Sequence, residues 1–294
     1  MEPDLDLVAE AIGSPPKSWE PVRSGYTRSR AWRMESPDGP VFVKEAADEG
    51  SLSMLRSEAL FYSNVSGTFA PGFIGFADRG ARAALAIEYL DDAHWPPPYP
   101  DPVDPLFIAL ETVSAARAPA GLRVQAKRWS RWERVAADAE PFLSLGVCSR
   151  DWLERSLGLL IAAEAGADFE GDALVHNDVY SGNVCFVGRG AVLVDWGAAV
   201  RGSHWIDTAF AVLSVRVEGG RVPIVDFPDE GPFAAALSGH LAVEAPEPLP
   251  AWAEPGSTLR ADMAQDIRHA LRWAAEKLEL EPLGQTSPRA RDPR

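Results

Sequence analysis

Short apolar runs separated by turn residues dominate the first third of the chain, and apolar spacings of three and four dominate the rest. Asp4 to Ile12 reads as a short helix, ended by Gly13 and the Pro15-Pro16 pair. Val22 to Val43 reads as strand, loop, strand, turn and strand, with the turn at Ser36-Pro37-Asp38-Gly39-Pro40. Ser51 to Val65 has helical spacing that puts Leu55, Glu58 and Tyr62 on one face. Gly72 to Ala77 and Ala83 to Tyr89, parted by Asp78-Arg79-Gly80, predict a hairpin that completes a sheet of about five strands. A proline-rich connector, Trp95 to Pro100, follows. Helices are predicted over Pro105 to Ala116, Arg128 to Ala139, Arg150 to Ala165, Ile206 to Val215, Phe233 to Leu241 and Thr258 to Leu280, with Trp129, Trp132 and Trp152 as packing residues. In the last helix Leu259, Met263, Ile267, Leu271 and Ala274 form the apolar stripe. Gln285 to Arg294 is polar and is expected to be a disordered tail.

The stretch Leu174 to Gly197, LVHNDVYSGNVCFVGRGAVLVDWG, breaks this pattern with chemistry. Two apolar runs, Val184 to Val187 and Ala191 to Val194, flank a glycine-bounded turn, so the segment reads as loop, strand, hairpin turn and strand ending in an acid. Asp178, Asn183 and Asp195 can then converge on one small volume. Phosphoryl transfer from ATP needs such a set: Asp178 to accept the proton of an attacking hydroxyl, Asn183 and Asp195 to hold Mg2+ through hard oxygen ligands. Lys44 adds to it. Alternation places Lys44 on the same strand face as Phe42, and an inward lysine needs an acidic partner, which Glu58 on the inward helix face can supply.

The spacing H-x-D-x4-N followed by D-x-G resembles a kinase catalytic loop and metal-binding acid, and the chain as a whole resembles the aminoglycoside phosphotransferase family, the small-molecule branch of the protein-kinase-like fold. The resemblance implies an α+β, two-lobed fold. Residues 1–90 would form the N-terminal nucleotide-binding lobe, mainly antiparallel sheet with one main helix, and 91–284 the larger, mostly helical catalytic and substrate-binding lobe. Asp178 would be the catalytic base, Asn183 and Asp195 the magnesium ligands, and His176 and Asp207 supports of the catalytic loop. Lys44, paired with Glu58, would contact the nucleotide phosphates. Gly25 and Thr27 would lie in the loop over those phosphates, with Arg28 and Arg30 either near phosphate or in solvent. The hinge would fall at Glu88 to Leu90, whose backbone groups would hydrogen-bond adenine. Three departures bear on the branch: Tyr180 stands where protein kinases carry lysine, Asp195-Trp196-Gly197 replaces D-F-G, and no A-P-E follows. All three weigh against a protein substrate. The phosphate loop has one glycine where kinases have three.

Global numbers change this picture little. The 294 residues suffice for about two domains, and a 46% hydrophobic fraction is ample for buried cores. The net charge of -15 argues against a nucleic-acid partner and is compatible with a cationic substrate. Cys148 and Cys185 have neither metal-ligand spacing nor a disulfide framework. The acidic start has no apolar core of signal-peptide length and no run approaches a membrane span, so a soluble cytoplasmic enzyme, monomer or homodimer, is expected. The expected activity is ATP- and Mg2+-dependent transfer to a hydroxyl of a small molecule. An aminoglycoside or other antibiotic, with a role in resistance, or a secondary metabolite heads the acceptors; choline-like amines, homoserine-like alcohols and sugars follow, and the rivals from other classes are a nucleotide-binding pseudoenzyme and a protein kinase, the latter disfavoured by Tyr180 and the absent A-P-E.

Overall fold

The computed structural model describes residues 2–22, 25–228 and 230–283; the expected tail at 285–294 lies outside them. Helix α1 (Leu5–Ile12) starts at Asp4, whose side chain accepts from the Leu7 amide, and stops at Gly13, which adopts φ 84°. Five strands follow: β1 (Ser18–Val22), β2 (Arg30–Ser36), β3 (Gly39–Glu45), β4 (Phe73–Asp78) and β5 (Ala83–Glu88), with α2 (Glu49–Tyr62) between β3 and β4. They form one sheet in the order β1-β2-β3-β5-β4, antiparallel at every pairing. Asp48 opens α2 through a reciprocal cap: its carboxylate accepts from the Ser51 amide and the Ser51 hydroxyl accepts from the Asp48 amide.

The remaining elements are α3 (Asp104–Ala115), β6 (Arg123–Val124), α4 (Arg131–Ala137), α5 (Glu140–Leu143), α6 (Arg150–Gly166), β7 (Ala173–Val175), β8 (Val184–Val187), β9 (Gly190–Leu193), β10 (Val200–Gly202), α7 (Trp205–Val217), α8 (Glu230–Glu244) and α9 (Leu259–Lys277). The architecture is α+β, as the sequence predicts. Among the described residues no helix is long and apolar enough to cross a membrane.

The chain divides into two compact units. The first takes the chain up to Ala126, Phe169–Asp226 and Leu249–Ser257. It therefore contains the sheet, α1 to α3, the β8-β9 hairpin and α7, and the expected lobe boundary at residue 90 falls inside it. Its sheet is sealed on one side by α1, where Leu7, Val8 and Ala11 join Trp32, Met34, Val41, Val43, Ala77, Ala84 and Ala86 in one buried cluster. The second unit takes Lys127–Asp168, Phe227–Pro248 and the chain from Thr258. Its centre is α8, buried on nearly every face, as expected of a helix apolar all round. Trp132 is fully buried against it. The Trp132 indole donates to the Ala235 carbonyl at 2.8 Å, and the ring sits where a Cβ on Gly239 would lie 2.8 Å from it.

One helix differs from expectation for an identifiable reason. Helix α4 is shorter than Arg128 to Ala139: Ser130 adopts φ 49° and cannot cap, and Glu164 of α6 supplies the cap by accepting the Arg131 and Trp132 amides, each at 2.8 Å. Trp129 is half-buried, with its ring 5.3 Å from that of His240.

The tightest approach in the first unit is at the bulge in β4. A Cβ built on Gly75 would stand 2.2 Å from the Ala11 carbonyl oxygen, so only glycine lets α1 seat on the sheet. Gly75→Ala is expected to destabilise the protein by about 1–3 kcal/mol through overpacking, read as a lower denaturant midpoint; an unchanged midpoint would contradict this account of the α1 interface.

Candidate active site

Strand β7 delivers the chain into the loop from His176 to Asn183, and β8 and β9 return it to Asp195. The loop is suspended from Asp207 in the first turn of α7. One Asp207 carboxylate oxygen accepts from the His176 amide at 2.7 Å and the other from the Asn177 amide at 2.8 Å. Burial pushes this carboxyl up to about 7 and the two amides pull it down. With both oxygens already accepting, the ionised form is the one that satisfies the geometry. Asn177 itself takes φ 67°, an uncommon backbone state for a residue with a side chain.

His176 is fully buried. Its Nε2 lies 2.9 Å from the Val194 carbonyl, which can only accept, so the ring carries its proton on Nε2. Trp196 packs edge-on to it, with centroids 4.4 Å apart. The imidazole thereby braces the start of the loop against the end of β9.

Asp178, half-buried, receives two hydrogen bonds from the Asn183 amide nitrogen: at 2.9 Å on Oδ2 and at 3.0 Å on its carbonyl. This turns the oxygen of Asn183 away from Asp178. Burial and the nearby charge of Asp195 push the Asp178 carboxyl up to about 7, against the pull of Asn183. A carboxyl titrating near neutrality is suited to take up a proton from a hydroxyl.

Lys44 comes from β3 and is buried, 7% exposed. Its ammonium donates to Glu58 of α2 at 3.0 Å and to Asp195 at 2.9 Å. Burial alone would lower the lysine, but the two carboxylates outweigh it and hold the ammonium protonated. Asp195 is lowered in turn: burial raises it, and Lys44 more than offsets that. At Glu58, burial together with the charge of Asp195 outweighs Lys44 and the carboxyl is raised. Asp195 sits at φ 62°, ψ 60°, so its side chain is aimed by a left-handed backbone. The turn after it, Trp196–Ala198, docks on α2. Phe61 stacks on Trp196 with centroids 3.8 Å apart, and a Cβ on Gly197 would lie 3.3 Å from the Met54 carbonyl oxygen. At the glycine of D-x-G the turn therefore packs closely on the helix that carries Glu58.

Glu88 and Leu90 lie half-buried at and beyond the end of β5. The Glu88 amide is spent on the Gly72 carbonyl at 2.7 Å. Its side chain is held by Arg189 from the β8-β9 turn, Nη1 at 2.7 Å and Nη2 at 2.8 Å on the two carboxylate oxygens. This clamp ties the expected hinge to the hairpin that carries Asn183 and Asp195, and sequence patterning gives no sign of it. Gly25, at φ 30°, and Thr27 lie in the loop between β1 and β2. The Gly25 Cβ position is 4.0 Å from the Tyr180 hydroxyl, and Tyr26 stacks on Tyr180 with centroids 6.1 Å apart. Arg28 is bound to protein atoms, its Nε donating to the Ala253 carbonyl at 3.0 Å. Next to Tyr180, the Ser181 hydroxyl bonds Glu218 at 2.8 Å. Among the described residues no three His, Cys, Asp or Glu side chains group into a metal site.

Burial holds the His176 ring down to about 4, so it is expected to stay neutral where a free imidazole is charged, as the Nε2–H tautomer. Nitrogen-15 NMR of the ring at pH 5.5 checks this, and a cationic ring would contradict the bracing role.

No protein-family model matches the sequence, and none of the curated proteins matches it. Solved structures do. Aminoglycoside phosphotransferase APH(4)-Ia, in a ternary complex with ADP and hygromycin B, matches with a TM-score of 0.56 at 14% identity, over 92% of this chain and 99% of that one. Spectinomycin phosphotransferase APH(9)-Ia, in complex with ADP and spectinomycin, matches with a TM-score of 0.56 at 12% identity, over 92% and 97%. Amicoumacin kinase hAmiN, in complex with AMP-PNP, Ca2+ and Ami, matches with a TM-score of 0.53 at 11% identity, over 90% and 92%. At such identities the likeness is one of fold, and the chain has the protein-kinase-like fold shared by these small-molecule kinases.

Proposed function

We propose that the chain transfers the γ-phosphoryl group of ATP to a hydroxyl of a small molecule. The observation that carries this reading is the convergence in one unit of Lys44, Glu58 and Asp195 with Asp178 and Asn183, at hydrogen-bond distances within each set. In this reading the nucleotide phosphates are met by Lys44, which Glu58 keeps charged and oriented. Gly25 and Thr27 cover them, and the backbone at Glu88 and Leu90 holds adenine; the Glu88 carbonyl is the group available, since its amide is bonded to Gly72. Residues 1–90 act as the nucleotide lobe and 91–284 as the catalytic and acceptor lobe.

A hard, oxygen-seeking cation suits the donors present, and Asp195 and Asn183 would hold Mg2+. When bound, the cation offsets charge developing on the transferred group. Asp178 orients the acceptor hydroxyl and its carboxylate takes the proton, burial having raised the carboxyl to about 7. His176 and Asp207 hold the loop that presents it. Transfer becomes fast because these groups are set in place beforehand, so little reorganisation accompanies the reaction.

Tyr180 at the lysine position of protein kinases favours a small acceptor over a protein. The matched structures are complexes with hygromycin B, spectinomycin and amicoumacin, which supports a hydroxylated antibiotic or secondary metabolite as the acceptor here. The net charge of -15 supports an acceptor that is cationic.

Asp178→Asn keeps the shape of the loop while removing the proton acceptor. It is expected to lower turnover of Mg-ATP by about 10²-fold or more, while affinity for Mg-AMP-PNP stays within about twofold. Unchanged turnover in this variant would remove Asp178 as the base. Absence of Mg-AMP-PNP binding in the unmodified protein would overturn the functional reading itself.

A further inference from the structure

The loop between β1 and β2 has one glycine, too few to wrap phosphates by backbone freedom alone. It is paired instead with a distant segment. Thr27 forms an antiparallel bridge with Ala253. On either side of that bridge the Arg28 amide donates to the Trp252 carbonyl at 3.1 Å and the Glu254 amide donates to the Tyr26 carbonyl at 2.9 Å. Arg28 adds a side-chain tie, its Nε donating to the Ala253 carbonyl at 3.0 Å while Nη1 faces the Asp48 carboxylate at 3.7 Å. Asp48 is the cap of α2, the helix that carries Glu58.

The partner segment is itself built of closed turns. Its turns are closed by the Ala253 amide on the Pro250 carbonyl and the Ser257 amide on the Glu254 carbonyl, both at 2.9 Å. Ala253 is buried, and a Cβ on Gly50 would lie 3.4 Å from the Trp252 Cβ, so the segment rests on the first turn of α2. Its two ends continue into α8 and α9.

We propose that residues 252–254 are a missing strand of the nucleotide-phosphate loop: they hold Gly25 to Ser29 over the phosphates in place of the absent glycines. Arg28 and the Glu254 amide are then positioning groups for the nucleotide, acting through the loop. The inference rests on the functional reading above, and goes beyond it in giving the Pro-rich stretch between α8 and α9 a role in nucleotide affinity. The physical reason is preorganisation. A loop already fixed in its binding shape loses little conformational freedom when the ligand arrives, and a single glycine cannot supply that shape unaided.

The test is isothermal titration of the full-length protein and of two variants, Arg28→Met and Glu254→Pro, each with Mg-AMP-PNP and separately with adenosine. Arg28 is 40% exposed at its side chain, so its variant is expected to fold. Each variant should bind Mg-AMP-PNP about tenfold more weakly, as expected for loss of a charge-assisted or ladder hydrogen bond that orders the loop. Adenosine has no phosphates, so its affinity should stay within about twofold. Hydrogen exchange should find the Arg28 and Glu254 amides protected in the unliganded protein and Glu254 exchange accelerated by Arg28→Met. Equal weakening of both ligands would mean general damage and overturn the proposal, as would unchanged Mg-AMP-PNP affinity in Arg28→Met. Failure of the unmodified protein to bind Mg-AMP-PNP would instead sink the functional reading, and this inference with it.

Discussion

A buried ammonium needs anions around it, and Lys44 imposes that demand on the first unit. With 7% of the residue exposed, it must be met by carboxylates within hydrogen-bond reach. Glu58 and Asp195 meet it from a helix and from the end of a hairpin. Strand β3, helix α2 and the residue after β9 are thereby brought to one point. Surrounding packing accompanies that convergence: Phe61 stacks on Trp196, Gly197 lies close against Met54, and Asp48 caps the start of α2, the helix that carries Glu58. The arrangement leaves Lys44 shared between a partner that orients it and an acid suited to a cation.

The second constraint is backbone shape. Asn177 and Asp195 both adopt left-handed conformations, costly for residues with side chains and sustained only where their surroundings fix them. Asp207 fixes the first through two amides, and the Trp196 turn against α2 fixes the second. His176 joins the two by bonding across to Val194. Asp178 and Asp195 are thus held by one connected set of contacts, and after burial the charge of Asp195 is the next reason the Asp178 carboxyl is raised.

Elements whose cause is local were legible in the sequence. Asp4 and Gly13 bound α1, alternation turned Lys44 inward, helical spacing turned Glu58 toward it, and the glycine-bounded turn joined β8 to β9. The spacing of Asp178, Asn183 and Asp195 was legible because one loop and one hairpin contain all three. What was not legible depends on residues far apart in the chain. Arg189 clamps Glu88 across 101 positions and Arg28 bonds Ala253 across 225; neither leaves a trace in periodicity or spacing, and both look like solvated charges. Arg128 to Ala139 was too long as a helix because its cap comes from Glu164, and no pattern near Ser130 announces that. The stretch from Ala245 to Pro255 has no helical or strand periodicity, yet part of it pairs with the glycine loop.

Mass spectrometry of a reaction holding the unmodified protein, Mg-ATP and a mixed panel of aminoglycosides, peptide and macrolide antibiotics, choline, homoserine and hexoses tests the site most directly. One acceptor is expected to gain a single phosphoryl group, about 80 Da, as ATP is converted to ADP. A panel left unmodified, with no stabilisation of the protein by Mg-ATP, would contradict the reading of Lys44, Asp178, Asn183 and Asp195 as a phosphoryl-transfer site.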